Sequence, residues 1–154
     1  MVYLEQQLGE DESIHLLCLS PERFSRLGFK RVRFVKFDYC NGDAELAALY
    51  LKTNLFVSTS IEDAGPMMVA EALMCGVPVV TFDVGIAPEI IREGGNGFVV
   101  ERFDVENMAS KILMIYRTRG AHLEQPAMIH EYAALVFSHH RWAAEVSNLI
   151  SAEI

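Results

Sequence analysis

Short runs of β-branched and apolar residues alternate along this chain with longer segments of helical period. The alternation is typical of parallel strands joined by crossover helices, because two parallel strands need a long connection across their sheet. It predicts an α/β fold, namely a Rossmann-like three-layer αβα arrangement with a mostly parallel sheet. The length of 154 residues fits a single domain, so residues 1–154 are predicted to form one unit.

The predicted elements follow one another in a regular order. Strands are predicted over residues 14–19, 31–37, 55–58, 78–82 and 98–100. Helices are predicted over residues 2–8, 21–27, 44–52 with Asp43 as the cap, 66–74, 87–93, 104–117, and from about 125 to 154.

The segment over residues 55–80, LFVSTSIEDAGPMMVAEALMCGVPVV, has the features of an anion site. A strand leads into the glycine-containing loop 59–65, and Pro66 suits the first position of the helix that follows. A helix that begins at the carboxyl end of a parallel strand presents unpaired N–H groups and the positive end of its dipole. The segment therefore favours a bound phosphate.

Two carboxylates accompany that helix start. Asp63 lies just before it, and Glu71 lies within it, on the helix face that carries Met67 and Met68. Carboxylate oxygens accept several hydroxyl donors at once, so they suit sugar and ribose hydroxyls. Taken alone, the favoured interpretation is a loop or capping residue for Asp63, a solvated helix residue for Glu71 and core packing for the two methionines.

The same segment resembles the signature of family 4 retaining glycosyltransferases, also described as glycosyl transferases group 1. The family signature begins with an acidic residue in the loop, which is followed after seven further residues by a glutamate in the helix. The signature then ends with small residues, Cys/Gly and Pro-Val-Val. Asp63 and Glu71 have this spacing, and residues 72–80 (ALMCGVPVV) match the ending. Residues 85–91 (GIAPEII) and 96–100 (NGFVV) are also similar to family features. One departure is that the first acid is usually glutamate, and Glu62 sits one residue too early.

The resemblance implies that the chain is the C-terminal, donor-binding half of a GT-B fold. In the catalytic position, Asp63 would contact the hydroxyls of the donor sugar, and Glu62 is the alternative residue for this role. Glu71 would hold the ribose. Backbone amides at the helix start would bind the diphosphate, namely those of Gly65, Met67 and Met68.

The base pocket is assigned to an aromatic pair. Phe37 and Tyr39, at the end of a predicted strand, would border the nucleobase as the matching loop does in relatives, with core packing as the alternative.

The implied activity is the transfer of a hexose, with retention, from a UDP-, GDP- or similar sugar to a glycan or lipid-linked acceptor. In relatives the leaving phosphate and a front-face attack replace a protein nucleophile, and no metal is needed, in agreement with the lack of a DxD motif. The alternative is a noncatalytic nucleotide-sugar-binding or interaction module of the same fold.

Family members carry an earlier strand whose Arg and Lys neutralise the donor diphosphate, whereas this sequence begins in the helix after it. We therefore expect a fragment that lacks the first strand and the acceptor-binding N-terminal domain. Because the first strand is central in the doubly wound order, its neighbours would be left unpaired. The isolated chain is expected to be inactive, since a helix terminus supplies only part of the charge stabilisation that two cations give.

Charge and composition limit the kinds of partner that the chain is expected to bind. The net charge of −8 disfavours nucleic acid. The N-terminus lacks a signal peptide, which favours a cytoplasmic location. The cysteines and histidines show no metal-ligand spacing. A basic group is expected to be a solvated sheet edge or, alternatively, a surface for a partner domain or for anionic lipid at the inner membrane face; its members are Arg23, Arg26, Lys30, Arg31, Arg33 and Lys36.

Overall fold

The computed structural model describes residues 1–24 and 27–138, and strands alternate with helices throughout them. The strands are β1 (Ile14–Cys18), β2 (Val32–Lys36), β3 (Phe56–Ser58), β4 (Val79–Phe82) and β5 (Gly97–Val100). The helices are α1 (Val2–Gln7), α2 (Asp43–Tyr50), α3 (Met67–Met74), α4 (Ala87–Ile90), α5 (Val105–Thr118) and α6 (Pro126–Val136), with a 3-10 turn over Pro21–Arg23.

The described strands form two parallel sheets. One contains β1 and β2, and the other has the order β3-β4-β5. Every pairing is parallel, and Val80 at the centre of the second sheet lies opposite Val57 on one side and Phe98 on the other. The α/β prediction is confirmed. Within the described residues, β1 and β3 each have a single hydrogen-bonded neighbour.

Apolar residues cover both faces of the β3-β4-β5 sheet. On one face, Val80 and Phe82 pack in a cluster with residues of α1 and α5. On the other, Val79 packs with Leu73 of α3 and Ile129 of α6. Successive side chains of a strand point to opposite faces, so this alternation buries all of β4 and produces the predicted three layers. Each such side chain contributes about 1.5–3 kcal/mol when fully buried.

The turn before β5 explains the Asn-Gly-Phe segment structurally. Asn96 is fully buried, donates from Nδ2 to the Ile90 carbonyl at 3.1 Å, and accepts the Arg92 amide at 2.7 Å. A Cβ atom on Gly97 would lie 2.0 Å from the carbonyl oxygen of Val79, so only glycine allows β5 to approach β4. Both residues therefore support the sheet that carries the candidate site.

Helix α1 is attached to the body of the domain by carboxylates. The Glu5 carboxylate accepts the backbone N–H groups of Arg31 and Val32, with the Val32 bond at 2.8 Å. Arg117 of α5 binds Glu12 with an N–O separation of 3.2 Å. Hydrogen bonding to Arg117 lowers the pKa of Glu12 from its ordinary value. These bonds hold α1 against α5 and the start of β2.

Several predicted helix boundaries were wrong. Asp43 begins α2 instead of capping it, because Gly42, with φ 110°, occupies the cap position. Of the helix predicted over 21–27, residues 21–23 form a 3-10 turn, and residues 25 and 26 lie outside the described residues. Pro66 precedes α3 and is not its first residue. The helix predicted over 87–93 ends at Ile90, because Ile91 is extended and the next amide bonds to Asn96.

Part of the last predicted helix is present as α6. Its continuation over 139–154, which contains Trp142, lies outside the described residues, as does Arg26.

Candidate functional site

Two loops pack directly on each other at the carboxyl edge of the β3-β4-β5 sheet. Gly85 follows β4 with φ +51°, and a Cβ atom there would lie 2.3 Å from the carbonyl oxygen of Asp63 and 2.8 Å from that of Ala64. The loop after β4 therefore supports the backbone of the acidic loop after β3. Sequence reasoning missed this role of Gly85, although a glycine just after a strand is a signal of close backbone approach.

The start of α3 leaves two amides exposed. The Pro66 carbonyl accepts the N–H groups of Val69 at 2.9 Å and Ala70 at 3.4 Å, and no side chain caps the helix. Within the described parts of the chain, the Met67 and Met68 amides form no hydrogen bond, and both methionines are more than half exposed. These two predicted phosphate ligands lie together at the positive end of an eight-residue helix.

The half-buried Asp63 has a partner within its own loop. Its Oδ1 accepts the Gly65 N–H at 3.1 Å, so the Gly65 amide is satisfied internally, unlike those of Met67 and Met68. Glu62, one residue earlier, is exposed. The structure thus brings Asp63 and Gly65 together as hydrogen-bond partners within this loop.

Glu71 is half-buried and is held by a residue that the sequence did not indicate. The Tyr50 hydroxyl at the end of α2 donates to Glu71 Oε2 at 3.1 Å and lies 3.3 Å from the Met68 carbonyl oxygen. Tyr50 is only 5% exposed. Burial, followed by the neighbouring Glu71 charge, raises the pKa of Tyr50 well above its ordinary range. The hydroxyl is therefore a constant hydrogen-bond donor at neutral pH.

The predicted base residues line a hollow of about 270 Å³ between the end of β2 and helix α2. Phe37 is half-buried and Tyr39 is exposed, α2 contributes Glu45 and Leu49 to the wall, and Lys52 follows two residues after the helix ends. Helix α2 therefore borders this hollow along its length and contacts Glu71 at its last residue.

A larger hollow, about 570 Å³, lies between α1 and α5 and is lined by residues such as Tyr3, Glu106 and Arg117. None of the predicted site residues lines it, and we attach no chemistry to it.

The described residues also bear on metal and membrane binding. Over residues 1–24 and 27–138, no three His, Cys, Asp or Glu side chains cluster as metal ligands. In the same residues, no helix combines the length and apolar character that crossing a bilayer requires. In the basic group, Arg33 and Lys36 are exposed, and Lys36 Nζ lies 4.0 Å from Glu22 Oε1.

Sequence comparison gives a consistent family relationship. Residues 27–136 match the family model described as glycosyl transferases group 1. The poly(glycerol-phosphate) alpha-glucosyltransferase of Bacillus subtilis (strain 168) is 28% identical over 125 residues, which are 79% of this chain and 18% of that protein. The O-antigen chain mannosyltransferase B of Escherichia coli is 35% identical over 71 residues, 46% of this chain and 18% of that protein.

Solved structures show the same fold. Anabaena HepE in complex with UDP superposes with a TM-score of 0.69 at 21% identity, covering 98% of this chain and 43% of that one. The apo form of the lipopolysaccharide outer core galactosyltransferase WaaB superposes with a TM-score of 0.74 at 19% identity, covering 99% and 44%. The fold is that of the Rossmann-like domains of GT-B glycosyltransferases. The chain thus spans under half of these structures and about a fifth of the two curated relatives.

Proposed function

The chain belongs to the glycosyl transferases group 1 family, and on that premise we propose that it is the donor-binding part of a retaining glycosyltransferase. The whole protein moves a hexose from a UDP-, GDP- or similar nucleotide sugar to a glycan or lipid-linked acceptor. The donor diphosphate is held without a metal.

The observation that carries this proposal is the open start of α3. The unpartnered Met67 and Met68 amides and the positive end of the helix dipole suit the donor diphosphate. Gly65 becomes the third amide when Asp63 leaves it. Asp63 then accepts hydroxyls of the donor sugar, so one rearrangement provides both the sugar contact and the last phosphate contact.

The remaining donor groups are assigned around α2. Glu71, one turn into α3, holds the ribose hydroxyls, and the hollow lined by Phe37 and Tyr39 takes the base. Helix α2 borders both places, so it connects the proposed ribose contact to the proposed base hollow. HepE has been solved with UDP and with UDP-glucose, which is the kind of ligand that this arrangement would accept.

The divided sheet supports the proposal that further segments complete the enzyme. A parallel strand between β1 and β3 would give each its second neighbour and restore the central position of the doubly wound order. We place on that segment the cations that stabilise the leaving diphosphate, and beyond it an acceptor-binding domain. The chain alone would then lack transfer activity.

A calorimetric titration of UDP and GDP into the full-length protein tests the donor assignment. We expect Glu71→Ala to weaken the preferred nucleotide by about tenfold or more, because hydrogen bonds to a charged group contribute about 1.5–3 kcal/mol. Glu131→Ala, on the exposed surface of α6, is the matched control and should bind like the parent. Equal affinity in the parent and Glu71→Ala would remove the ribose assignment.

The second candidate is a noncatalytic nucleotide-sugar-binding or interaction module. The Asp63–Gly65 hydrogen bond favours this candidate, because it engages the carboxylate that is proposed to bind the sugar. Donor hydrolysis and transfer, measured in the full-length protein with and without EDTA, separate the two. Turnover that survives EDTA supports the metal-independent enzyme. Binding without turnover supports the module, and turnover lost in EDTA contradicts metal independence.

We also propose a cytoplasmic protein that contacts the inner membrane face through the basic group. Arg33 and Lys36 are exposed on β2 and suit anionic headgroups. Co-sedimentation with vesicles of anionic or zwitterionic lipid tests this, and equal binding to both would refute it.

A further inference from the structure

Tyr50 occupies a position from which a single hydroxyl reaches two parts of α3. It donates to Glu71 Oε2 at 3.1 Å and lies 3.3 Å from the carbonyl oxygen of Met68 in the first turn. A phenol has one proton, and the charged carboxylate is the stronger acceptor of the two. The hydroxyl is therefore directed mainly at Glu71.

The aromatic ring is fixed by the sheet. Tyr50 meets Phe56 of β3 edge to face, with ring centroids 5.8 Å apart and planes at 74°. Phe56 is itself paired with Val79 of β4, and Tyr50 packs in the same apolar cluster as Val69 and Leu73 of α3. Because the ring cannot shift without disturbing this packing, its hydroxyl is a fixed point beside a flexible glutamate.

The two carboxylate oxygens of Glu71 therefore have different hydrogen-bond environments. Oε2 is bonded to Tyr50, whereas no described residue is hydrogen-bonded to Oε1. A glutamate has several rotatable bonds, and holding one oxygen removes most of that freedom before a ligand arrives. The second oxygen is left to accept hydroxyl groups from the ligand.

We propose that Tyr50 is a positioning residue, which holds Oε2 of Glu71 so that Oε1 receives the ribose hydroxyls of a nucleoside diphosphate. This inference rests on the proposed function, because it takes Glu71 as the ribose ligand. It adds a specificity role: the Tyr50–Glu71 pair sets the preference for ribose over deoxyribose. A polar group supported by a second, buried partner discriminates more strongly than an unsupported one.

The test uses Tyr50→Phe in the full-length protein, since phenylalanine keeps the ring and removes only the hydroxyl. Calorimetry measures the affinities of UDP and 2′-deoxy-UDP, or of GDP and 2′-deoxy-GDP if the parent prefers guanine. We expect the ribose preference of the parent to fall by about tenfold in Tyr50→Phe, the change expected for a charge-assisted hydrogen bond. The ratio of the two affinities does not depend on the fraction of folded protein, so a merely structural defect leaves it unchanged.

Two further variants make the result decisive. Tyr3→Phe removes the hydroxyl of another Tyr–Glu pair, Tyr3 with Glu106, far from the site, and should leave the preference unchanged. Glu71→Gln should remove most of the preference, and adding Tyr50→Phe to it should change little more.

The outcomes separate the two proposals. If Glu71→Gln loses the ribose preference while Tyr50→Phe keeps it, the Tyr50 inference is overturned and the proposed function survives. If Glu71→Gln binds both nucleotides like the parent, the ribose assignment itself fails. If Tyr50→Phe weakens both nucleotides equally, Tyr50 has only a packing role and the inference is likewise overturned.

Discussion

Replacing Gly85 with alanine should displace the loop after β3, which carries the proposed phosphate ligand Gly65. The new Cβ atom would lie 2.3 Å from the Asp63 carbonyl oxygen, whereas ordinary contact begins at 3.4 Å. The loop must therefore move by about 1 Å, a displacement that breaks a hydrogen bond of ordinary length. The Gly85 backbone, at φ +51°, adds about 1 kcal/mol because alanine avoids the left-handed region.

The two costs can be separated with Gly94→Ala. Gly94 has φ +75°, but a Cβ atom there would have nothing within 4 Å, so this variant carries the backbone cost alone. We expect Gly94→Ala to lower the free energy of unfolding by about 1 kcal/mol and to bind nucleotide normally. Gly85→Ala should cost about 1–3 kcal/mol more, from the overpacked contact. It should also weaken the affinity for the nucleoside diphosphate by about tenfold or more, which is the loss expected for one hydrogen bond to phosphate.

Urea unfolding monitored by circular dichroism and calorimetric titration of the nucleotide measure these quantities. The same free energy of unfolding and the same nucleotide affinity in both variants would show that the loop contact is without consequence.

Three further predictions concern stability and are checked by denaturation. Leu73→Ala leaves a cavity under α3 and should lower the free energy of unfolding by about 2–5 kcal/mol, so a loss below about 1 kcal/mol contradicts the buried position of this side chain. Gly97→Ala places a Cβ atom 2.0 Å from the Val79 carbonyl oxygen and should abolish the β4–β5 pairing. The amides of these strands should then lose their protection from hydrogen exchange, and retained protection would refute the prediction. Arg117 lowers the folded-state pKa of Glu12, so their bond stabilises the fold above the unfolded pKa of about 4.3, and this stabilisation is lost as the pH falls through the lower folded value. Glu12→Gln should flatten this part of the dependence of the free energy of unfolding on pH, and an unchanged dependence would count against the bond.

The features that the sequence predicted are those that adjacent residues determine. The β3-loop-α3-β4 unit follows from a short apolar run, a Gly-Pro pair, a helical segment and Gly76, so its existence and order were predictable. The placement of Glu71 on the same helix as Met67 and Met68 follows from helical spacing. The parallel pairing of the strands follows from the alternation of elements.

The missed features depend on contacts between distant residues. Tyr50 and Glu71 are 21 residues apart, and α2 (DAELAALY) is apolar on several sides, so its sequence does not indicate which residue faces α3. The contact of Gly85 with Asp63 likewise joins two loops whose approach depends on the register of β3 and β4. The Asp63–Gly65 bond is local and is compatible with the alternative interpretation of Asp63 as a loop residue.

Tyr50 and Gly85 lie beside different parts of the proposed donor site. Tyr50 contacts a side chain within α3, whereas Gly85 contacts the backbone just before it, so under the proposed function the two residues would control different parts of one ligand. Tyr50→Phe should therefore change the preference for ribose over deoxyribose and leave the preference for diphosphate over monophosphate intact. Gly85→Ala should do the reverse. If both variants changed both preferences equally, the start of α3 and the Glu71 carboxylate would have to move as one body, and separate phosphate and ribose contacts would be the wrong description of this site.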